Sequence, residues 1–366
     1  MAIQPGTHLG PYEIVSAIGA GTPAKTLKRC AIALLTTVSL ITGPARASGG
    51  SDANGVQAHV ALAKAAAGQD HIALFDILCS DPPPAPATRQ TRARVTATEQ
   101  PQVPDRSQWH TDPVKVFDNL YFVGQSEISA WAVTTSDGII ILDTIFSYSV
   151  EDEIVGGLTK LGLNPKSIKY AIVSHGHIDH AGGAKYLQDH FGTHIILSAA
   201  DWDLLDHDTG AWPKPKRDVI AGDGQKLTLG DTTLTLYLTP GHTLGTISTI
   251  IPVRDAGKSH LAVEWGGTGF NWTTDPAAYI TPERPAQFWF KTYIASAERL
   301  RGIVTKLGAD VLISNHTALD GSESKLPAVQ KRQPGDPNPY VIGNDSVQRY
   351  LTVADECAKA GLARVQ

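Results

Sequence analysis

Residues 174–183 read SHGHIDHAGG and lie between a run of apolar residues and a helical pattern. Three histidines and one aspartate fall within six positions of this stretch: His175, His177, Asp179 and His180. His175 and His177 alternate by two, as side chains at the end of an extended strand do, so both rings can face one side. Zinc prefers imidazole nitrogen and carboxylate oxygen as ligands, and a catalytic ion keeps one coordination position open. Four such groups therefore fit two adjacent ions better than one, provided that further ligands come from elsewhere.

Two more histidines follow strand patterns far along the chain. Residues 239–243 read TPGHT, with His242 just after a strand, and residues 312–317 read LISNHT, with His316 at the end of another. A histidine at the C-terminal tip of a strand points out of the sheet edge, where loops build sites. Either histidine alone would more often be structural. The same placement occurs three times, however, and this recurrence is a stronger signal than any single motif.

Strand and helix patterns alternate from Trp109 onward through two similar halves. Two strand-rich sheets with helices on their outer faces would bury these strands. The clearest patterns are a buried strand running into the histidine motif (residues 169–177) and an alternating hairpin with a Gly-Asp turn (226–242). A long amphipathic helix (285–307) and a final helix (345–361) follow. Residues 55–79 predict one or two helices, and the proline-rich residues 82–106 predict a linker.

The histidine motif and its distant partners resemble the metallo-β-lactamase superfamily, whose signature is H-x-H-x-D-H followed by distant histidines. The resemblance covers roughly Trp109 to Leu326 and includes the IILDT strand, TPGHT and ISNH. It is greatest to the third, histidine-rich dizinc subclass, and it implies a four-layer αββα sandwich of α/β class. On this resemblance each of two zinc ions has three ligands: His175, His177 and His242 for the first, and Asp179, His180 and His316 for the second.

The resemblance also implies the chemistry. It is that of a zinc-dependent hydrolase in which a metal-bridging hydroxide opens an amide, most simply the ring of a β-lactam antibiotic. Asp179 would both bind metal and orient the nucleophile. Asp143, which ends the IILDT strand, is expected either to hold a ligand histidine or to cap the strand end.

The segment SHLAVEWGGTGFNW departs from the family pattern. Relatives that cleave thioesters or lactones usually carry a bridging aspartate here, whereas this chain has no aspartate between Asp255 and Asp275. Glu264 is the nearby carboxylate, and it could bind metal, face solvent or form a salt bridge. Gly266 and Gly267 stand where lactamases of the third subclass often carry small hydroxyl residues. Three residues are candidates for the second shell of the site or for substrate contact: Thr268, Asn271 and Trp265, the last of which could equally belong to the core.

The missing aspartate favours a lactamase, but a dizinc esterase or lactonase with a non-lactam substrate is the alternative. A non-catalytic binding module built on the same fold is a third hypothesis, and the complete ligand set argues against it. The net charge of −5 gives no indication of a nucleic-acid partner, so a small-molecule substrate is expected.

Residues 25–47 have a basic entry, a short apolar run and an Ala45-Arg46-Ala47 cleavage pattern, as a secretory signal peptide does. The apolar run is too short for a stable membrane anchor. We therefore expect a periplasmic or secreted bacterial protein, in which Cys79 and Cys357 form a disulfide; two buried thiols are the alternative.

Five segments are expected along the chain. The opening PGTHLGPYEIVSAIGAG resembles the start of a bacterial serine/threonine kinase domain, but no later kinase motif follows it. The expected segments are a kinase-like scar or misplaced start (residues 1–24), the signal peptide (25–47) and an N-terminal helix with the linker (48–107). The metallo-β-lactamase domain (108–330) and a helical C-terminal extension (331–366) follow.

Overall fold

The computed structural model describes residues 53–79 and 103–366, together with the backbone of two paired strands, β1 (His8–Leu9) and β2 (Tyr12–Glu13). These two strands belong to a separate unit, residues 1–48, whereas residues 49–366 form one compact unit. The predicted signal peptide and most of the predicted linker lie outside the described residues. Within the described residues, no helix is both long enough and apolar enough to cross a membrane.

Two mixed sheets form the centre of the larger unit. The first sheet has its seven strands in chain order, antiparallel from β3 to β6 and parallel from β6 to β9. Its strands are β3 (Val114–Lys115), β4 (Leu120–Phe122), β5 (Trp131–Thr135), β6 (Gly138–Leu142), β7 (Ile168–Ile172), β8 (His194–Ser198) and β9 (Val219–Ala221).

The second sheet has five strands, also in chain order. Its strands pair antiparallel except for the last two, which are parallel. They are β10 (Gln225–Leu229), β11 (Thr232–Leu238), β12 (Ile247–Asp255), β13 (Lys258–Trp265) and β14 (Val311–Ser314). Only Gly230 and Asp231 separate β10 from β11, so the predicted Gly-Asp hairpin is confirmed.

Helices pack around the two sheets. They are α1 (Ala53–Ala67), α2 (Ile72–Cys79), α3 (Gly156–Lys160), α4 (Ile178–Ala181), α5 (Ala184–Phe191), α6 (Ala199–His207), α7 (Asn271–Thr274), α8 (Pro276–Tyr279), α9 (Ala286–Leu307), α10 (Thr317–Asp320), α11 (Ser322–Lys331) and α12 (Asn344–Arg364). A π-helical turn, Glu151–Val155, leads into α3, and 3-10 turns occur at Arg106–Gln108 and Pro165–Ser167.

Three apolar clusters separate these layers. One lies between the sheets and contains residues such as Trp131, Ile172 and Leu234. A second lies between the first sheet and its helices, and a third lies between the second sheet and helices α1, α2, α9 and α12. The predicted four-layer αββα sandwich is confirmed.

The first and last described helices pack against each other. Helices α1 and α2 lie along α12, which also packs on α9. The predicted disulfide is present between Cys79 at the end of α2 and Cys357 in α12, with the Cα atoms 4.9 Å apart. The segments before and after the sandwich therefore share one core with it.

Candidate active site

Three histidine rings meet at the strand ends of the two sheets. His175 and His177 lie in the loop after β7, and His242 lies in the loop after β11. His242 Nε2 is 3.1 Å from His175 Nε2 and 3.2 Å from His177 Nδ1. These residues form the first ligand group, and their three nitrogens point at a common centre.

Hydrogen bonds on the outer nitrogens fix which nitrogen of each ring faces that centre. His175 Nδ1 donates to the Gly266 carbonyl at 2.8 Å, and His242 Nδ1 donates to the Gly269 carbonyl at 2.7 Å. A carbonyl only accepts, so these nitrogens carry the protons, and each inward Nε2 of a neutral ring presents a lone pair. His177 Nε2 lies 2.8 Å from the Tyr279 hydroxyl. Lone pairs that face one another at this distance can bind a cation between them.

The second ligand group lies beside the first. Asp179 and His180 are in the first turn of α4, and His316 follows β14. Asp179 Oδ2 is 3.4 Å from His180 Nε2 and 3.9 Å from His316 Nε2. His180 Nε2 is buried and has no hydrogen-bond partner within the described residues. This nitrogen is therefore available to a metal ion.

The ligand types of both groups suit zinc, and the spacing of the first group matches it. Tetrahedral zinc with bonds of about 2.0–2.1 Å places neighbouring ligand nitrogens about 3.3 Å apart. The 3.1 and 3.2 Å separations in the first group match this spacing. In each group, the three potential ligand atoms lie within 4.8 Å of one another. Three ligands per ion also leave the open position that a catalytic zinc needs.

Burial favours the neutral form of two histidines of the first group. It lowers the pKa of His175 and His242 well below the ordinary value of imidazole, and neighbouring histidines lower both further. Neutral imidazole is the form that binds metal.

The second group attracts positive charge. Burial raises the pKa of Asp179, but His180 and His316 outweigh it, so the pKa of this carboxyl lies well below its ordinary value. Burial lowers the pKa of His180, yet Asp179 and Asp143 raise it to a net value of about 10. Burial lowers the pKa of His316 to about 4. A positive charge beside the Asp179 carboxylate is thus favoured, and a metal ion can supply it.

Asp143 orients one histidine of the second group, His180. Its Oδ2 accepts from His180 Nδ1 at 2.8 Å, which directs Nε2 of that ring toward Asp179. The same carboxylate accepts from the backbone nitrogen and the hydroxyl of Ser174, at 2.6 and 2.9 Å. Asp143 has a φ of 58°, a left-handed conformation that aspartate tolerates better than most residues. Asp143 thus contacts both His180, a candidate ligand, and Ser174 in the loop after β7.

The backbone around Gly266 and Gly267 approaches the site too closely for any side chain. A Cβ atom on Gly266 would lie 1.7 Å from the Ile247 carbonyl oxygen, and one on Gly267 would lie 2.6 Å from His242 Cβ. The Gly266 carbonyl instead accepts from His175 and from Asn315. Neither a bridging carboxylate nor a hydroxyl side chain fits at these two positions.

The remaining candidates have different surroundings. Trp265 lies in the core, where its indole nitrogen donates to the Tyr293 hydroxyl, so it belongs to the core and not to a substrate pocket. Thr268 is buried, and its carbonyl accepts from Tyr293. Asn271 lies against the first group: its amide nitrogen is 3.2 Å from His242 Nε2 and donates to the His242 carbonyl.

Glu264 is buried below the site. Burial raises the pKa of Glu264 well above its ordinary value, and the charge of Asp143 raises it further. One carboxyl oxygen has no hydrogen-bond partner within the described residues, and Glu264 belongs to neither ligand group there. The alternative that Glu264 faces solvent is wrong, because β13 turns this side chain inward.

Two supporting residues were missed by the sequence analysis. Tyr279, at the end of α8, contacts His177 from a segment with no metal-binding motif. Asp201 lies in α6, a helix that the sequence analysis did not predict, although Ser198 three residues earlier is a recognisable N-cap and accepts from the Asp201 backbone nitrogen. Burial raises the pKa of Asp201 to about 6, against the effect of its hydrogen bonds.

Comparison with known proteins agrees with this geometry. Residues 123–256 match the profile of the metallo-beta-lactamase superfamily. This chain contains a metallo-beta-lactamase superfamily domain. Among solved structures, this metallo-beta-lactamase domain is similar to a subclass B3 metallo-beta-lactamase of Bradyrhizobium japonicum, with a TM-score of 0.57 and 26% identity over 67% of this chain and 91% of that one. A metallo-beta-lactamase from Legionella gormanii, at 24% identity and a TM-score of 0.58, shares the fold over 67% of this chain and 94% of its own.

Sequence comparison gives a second group of relatives. An N-acyl homoserine lactonase from a Bacillus species is 29% identical over 160 residues, which are 43% of this chain. The match spans 59% of the lactonase's own length. The metallo-beta-lactamase domain thus has similarity to proteins that are named for two different substrates.

Proposed function

We propose that this protein is a dizinc hydrolase that opens the amide of a β-lactam ring. The observation that carries the proposal is the pair of adjacent three-residue groups, one of three histidines and one of an aspartate with two histidines. Zinc bound in both groups would supply an activated water and polarise the scissile carbonyl.

The residues of the chain contribute orientation and proton handling. Asp179 is ionised, so its carboxylate can accept a hydrogen bond from an attacking water and align it. Asp143 holds His180 in one tautomer, and the Gly266 and Gly269 carbonyls do the same for His175 and His242. The site therefore needs little rearrangement when a substrate enters, which lowers the cost of reaching the transition state.

The choice of a β-lactam is supported by the backbone beside the first group. Relatives that act on lactones or thioesters usually add a bridging aspartate after this strand, and the close approach at Gly266 and Gly267 leaves no space for a side chain there. The similarity to a subclass B3 metallo-beta-lactamase over 91% of that chain also supports this choice.

A lactone or ester is the alternative substrate. The similarity to N-acyl homoserine lactonase favours it. The two glycines also stand where lactamases of the third subclass often carry hydroxyl side chains that bind the carboxylate of the drug, and Thr268 is too buried to replace them.

Turnover by the full-length, zinc-loaded protein tests the proposal. We expect hydrolysis of penicillins, cephalosporins or carbapenems and about two zinc ions per chain by metal analysis. Hydrolysis of lactones and aryl esters without any lactam turnover would support the alternative. Metal content well below two ions, unaffected by His316→Ala, would contradict the dizinc centre itself.

We also propose that the protein is exported to the periplasm or secreted. The basic and apolar pattern of residues 25–47 and the Cys79–Cys357 disulfide support export. Mass spectrometry of the protein from a bacterial host would find a chain that begins after Ala47. Recovery of the uncleaved chain in the cytoplasm would contradict this proposal.

A further inference from the structure

Asp201 joins the two loops that carry all three histidines of the first group. Its side chain is almost fully buried, with 1% of its surface exposed. It lies in the first turn of α6 and points out of that helix toward the loops after β7 and β11. It is not a member of either ligand group.

Both carboxylate oxygens of Asp201 accept hydrogen bonds from these loops. Oδ2 accepts from the Gly176 backbone nitrogen at 2.8 Å and from the Thr243 hydroxyl at 2.8 Å. Oδ1 accepts from the Gly245 backbone nitrogen at 3.0 Å. Gly176 separates His175 from His177, and Thr243 follows His242 directly, so one side chain spans both ligand-bearing loops.

The loops fit against α6 without free space. A Cβ atom on Gly245 would lie 1.9 Å from the Ser198 hydroxyl oxygen and 2.6 Å from Asp201 Oδ1. A Cβ atom on Gly176 would lie 3.1 Å from the Asp201 carbonyl oxygen. The hydrogen bonds are thus formed between segments in close contact, where a shift of the carboxylate must move the loops.

We propose that Asp201 is a positioning residue that sets the separation of the first-group histidines and thereby the affinity of this group for metal. The inference rests on the metal centre proposed above. The two backbone nitrogens that face Asp201, one at each carboxylate oxygen, can only donate, so the position requires an acceptor at both side-chain oxygens. Asparagine would keep one acceptor and turn an NH2 group toward a backbone donor, and alanine would remove the acceptor of both the Gly176 and the Gly245 nitrogen.

Metal binding by the full-length chain tests this role without any substrate. Co²⁺ is the probe, its affinity is measured by competition with a chelator, and its visible absorption reports the ligand geometry. We expect Asp201→Ala and Asp201→Asn to weaken binding by about 10–100-fold, as the loss of a residue that orients metal ligands typically does, and to alter the absorption spectrum. Asp203→Asn is the matched control, because Asp203 is in the same helix, is 61% exposed and pairs with Arg217; it should bind Co²⁺ as the unaltered chain does.

Thr243→Val provides the second variant, since it removes one donor and leaves the carboxylate in place. It should weaken Co²⁺ binding less than Asp201→Ala does, and the thermal midpoint of each metal-free variant separates lost stability from lost positioning. Unaltered affinity and spectrum in a folded Asp201→Asn protein would overturn the inference, as would an unaltered Thr243→Val protein if the Asp201 variants do not fold. Failure of the unaltered chain to bind Co²⁺ would instead overturn the proposed metal centre together with the inference.

Discussion

At the scale of single residues, the site depends on the outer nitrogen of each histidine. His175 and His242 donate to backbone carbonyls, His180 donates to Asp143, and His177 contacts the Tyr279 hydroxyl. The carbonyls and the carboxylate, which only accept, select the tautomer of their rings, and all four partners hold the ring planes before a metal ion arrives. Substitution of the side chains that hold the ligand histidines therefore tests the metal site as directly as substitution of the histidines themselves.

Asp143→Asn should weaken metal binding at the second group by about 10–100-fold. Asparagine tolerates the left-handed backbone of this position, so the substitution changes the charge and the hydrogen bond to His180 with little backbone strain. The measurement is chelator competition with zinc. Asp189→Asn on the surface of α5 serves as the control, and equal affinities for the two variants would contradict the role given to Asp143.

Tyr279→Phe should weaken metal binding at the first group by a smaller factor, about 10-fold, because it removes only the hydroxyl beside His177. The aromatic ring remains and can keep its edge-to-face contact with Trp289. Metal affinity and the thermal midpoint should be measured together. A lowered midpoint with unaltered metal affinity would mean that the hydroxyl serves folding alone. Tyr186→Phe, whose ring stacks on His190 in α5, is the control.

At the scale of elements, the site is built where strands end. The loops after β7 and β11 and the residues after β14 supply four imidazoles, and α4, which begins within the same motif, supplies the fifth, His180. After β13, the backbone at Gly266 and Gly267 lies so close to Ile247 and His242 that no side chain fits at either position. The strand ends and this backbone approach together define the shape of the cleft.

Gly266→Ala should lower the free energy of unfolding by about 1–3 kcal/mol, because the new methyl group meets the Ile247 carbonyl of β12. Gly302→Ala is the matched control. Gly302 lies in α9 with open space around its Cα, so alanine should raise the free energy of unfolding by about 0.5–1 kcal/mol. Urea unfolding of the metal-free proteins checks both. Equal stability of the two variants would contradict this prediction, because it would mean that the loop after β13 can move away from β12.

The strand ends could be predicted from the sequence, whereas the contacts between loops could not. The motif of residues 174–183, together with His242 and His316, repeats one local pattern that sequence alone displays. Asp201 and Tyr279 reach their partners across 25 and 102 positions of the chain, and no local pattern relates such residues. Gly266 and Gly267 were visible as an unusual pair, but the reason for them lies in distant residues, Ile247 of β12 for Gly266 and His242 for Gly267. The helix α6 was missed because the strand pattern of β8 runs directly into its first turn.

At the scale of the whole molecule, the disulfide joins helices from the two ends of the larger unit. Cys79 and Cys357 are 278 positions apart, and the α2 and α12 helices that carry them pack into the same core as the second sheet. Replacing both cysteines by serine should lower the free energy of unfolding by about 2–5 kcal/mol. Urea unfolding with and without a reductant checks this. The reductant should destabilise the unaltered protein and leave the double variant unaffected; no difference between the two proteins would contradict the stabilising role.

The packing of α1 and α2 on α12 also sets an order of events during synthesis. The chain is made from its N-terminus, and α1 packs mainly along α12 and α2. The apolar faces of α1 and α2 can therefore pack on α12 only after the ribosome has made about 270 further residues, which include all the strands of both sheets. The third apolar cluster closes only when translation reaches α12. Until then the apolar faces of α1 and α2 lack the helix that covers them in the folded protein.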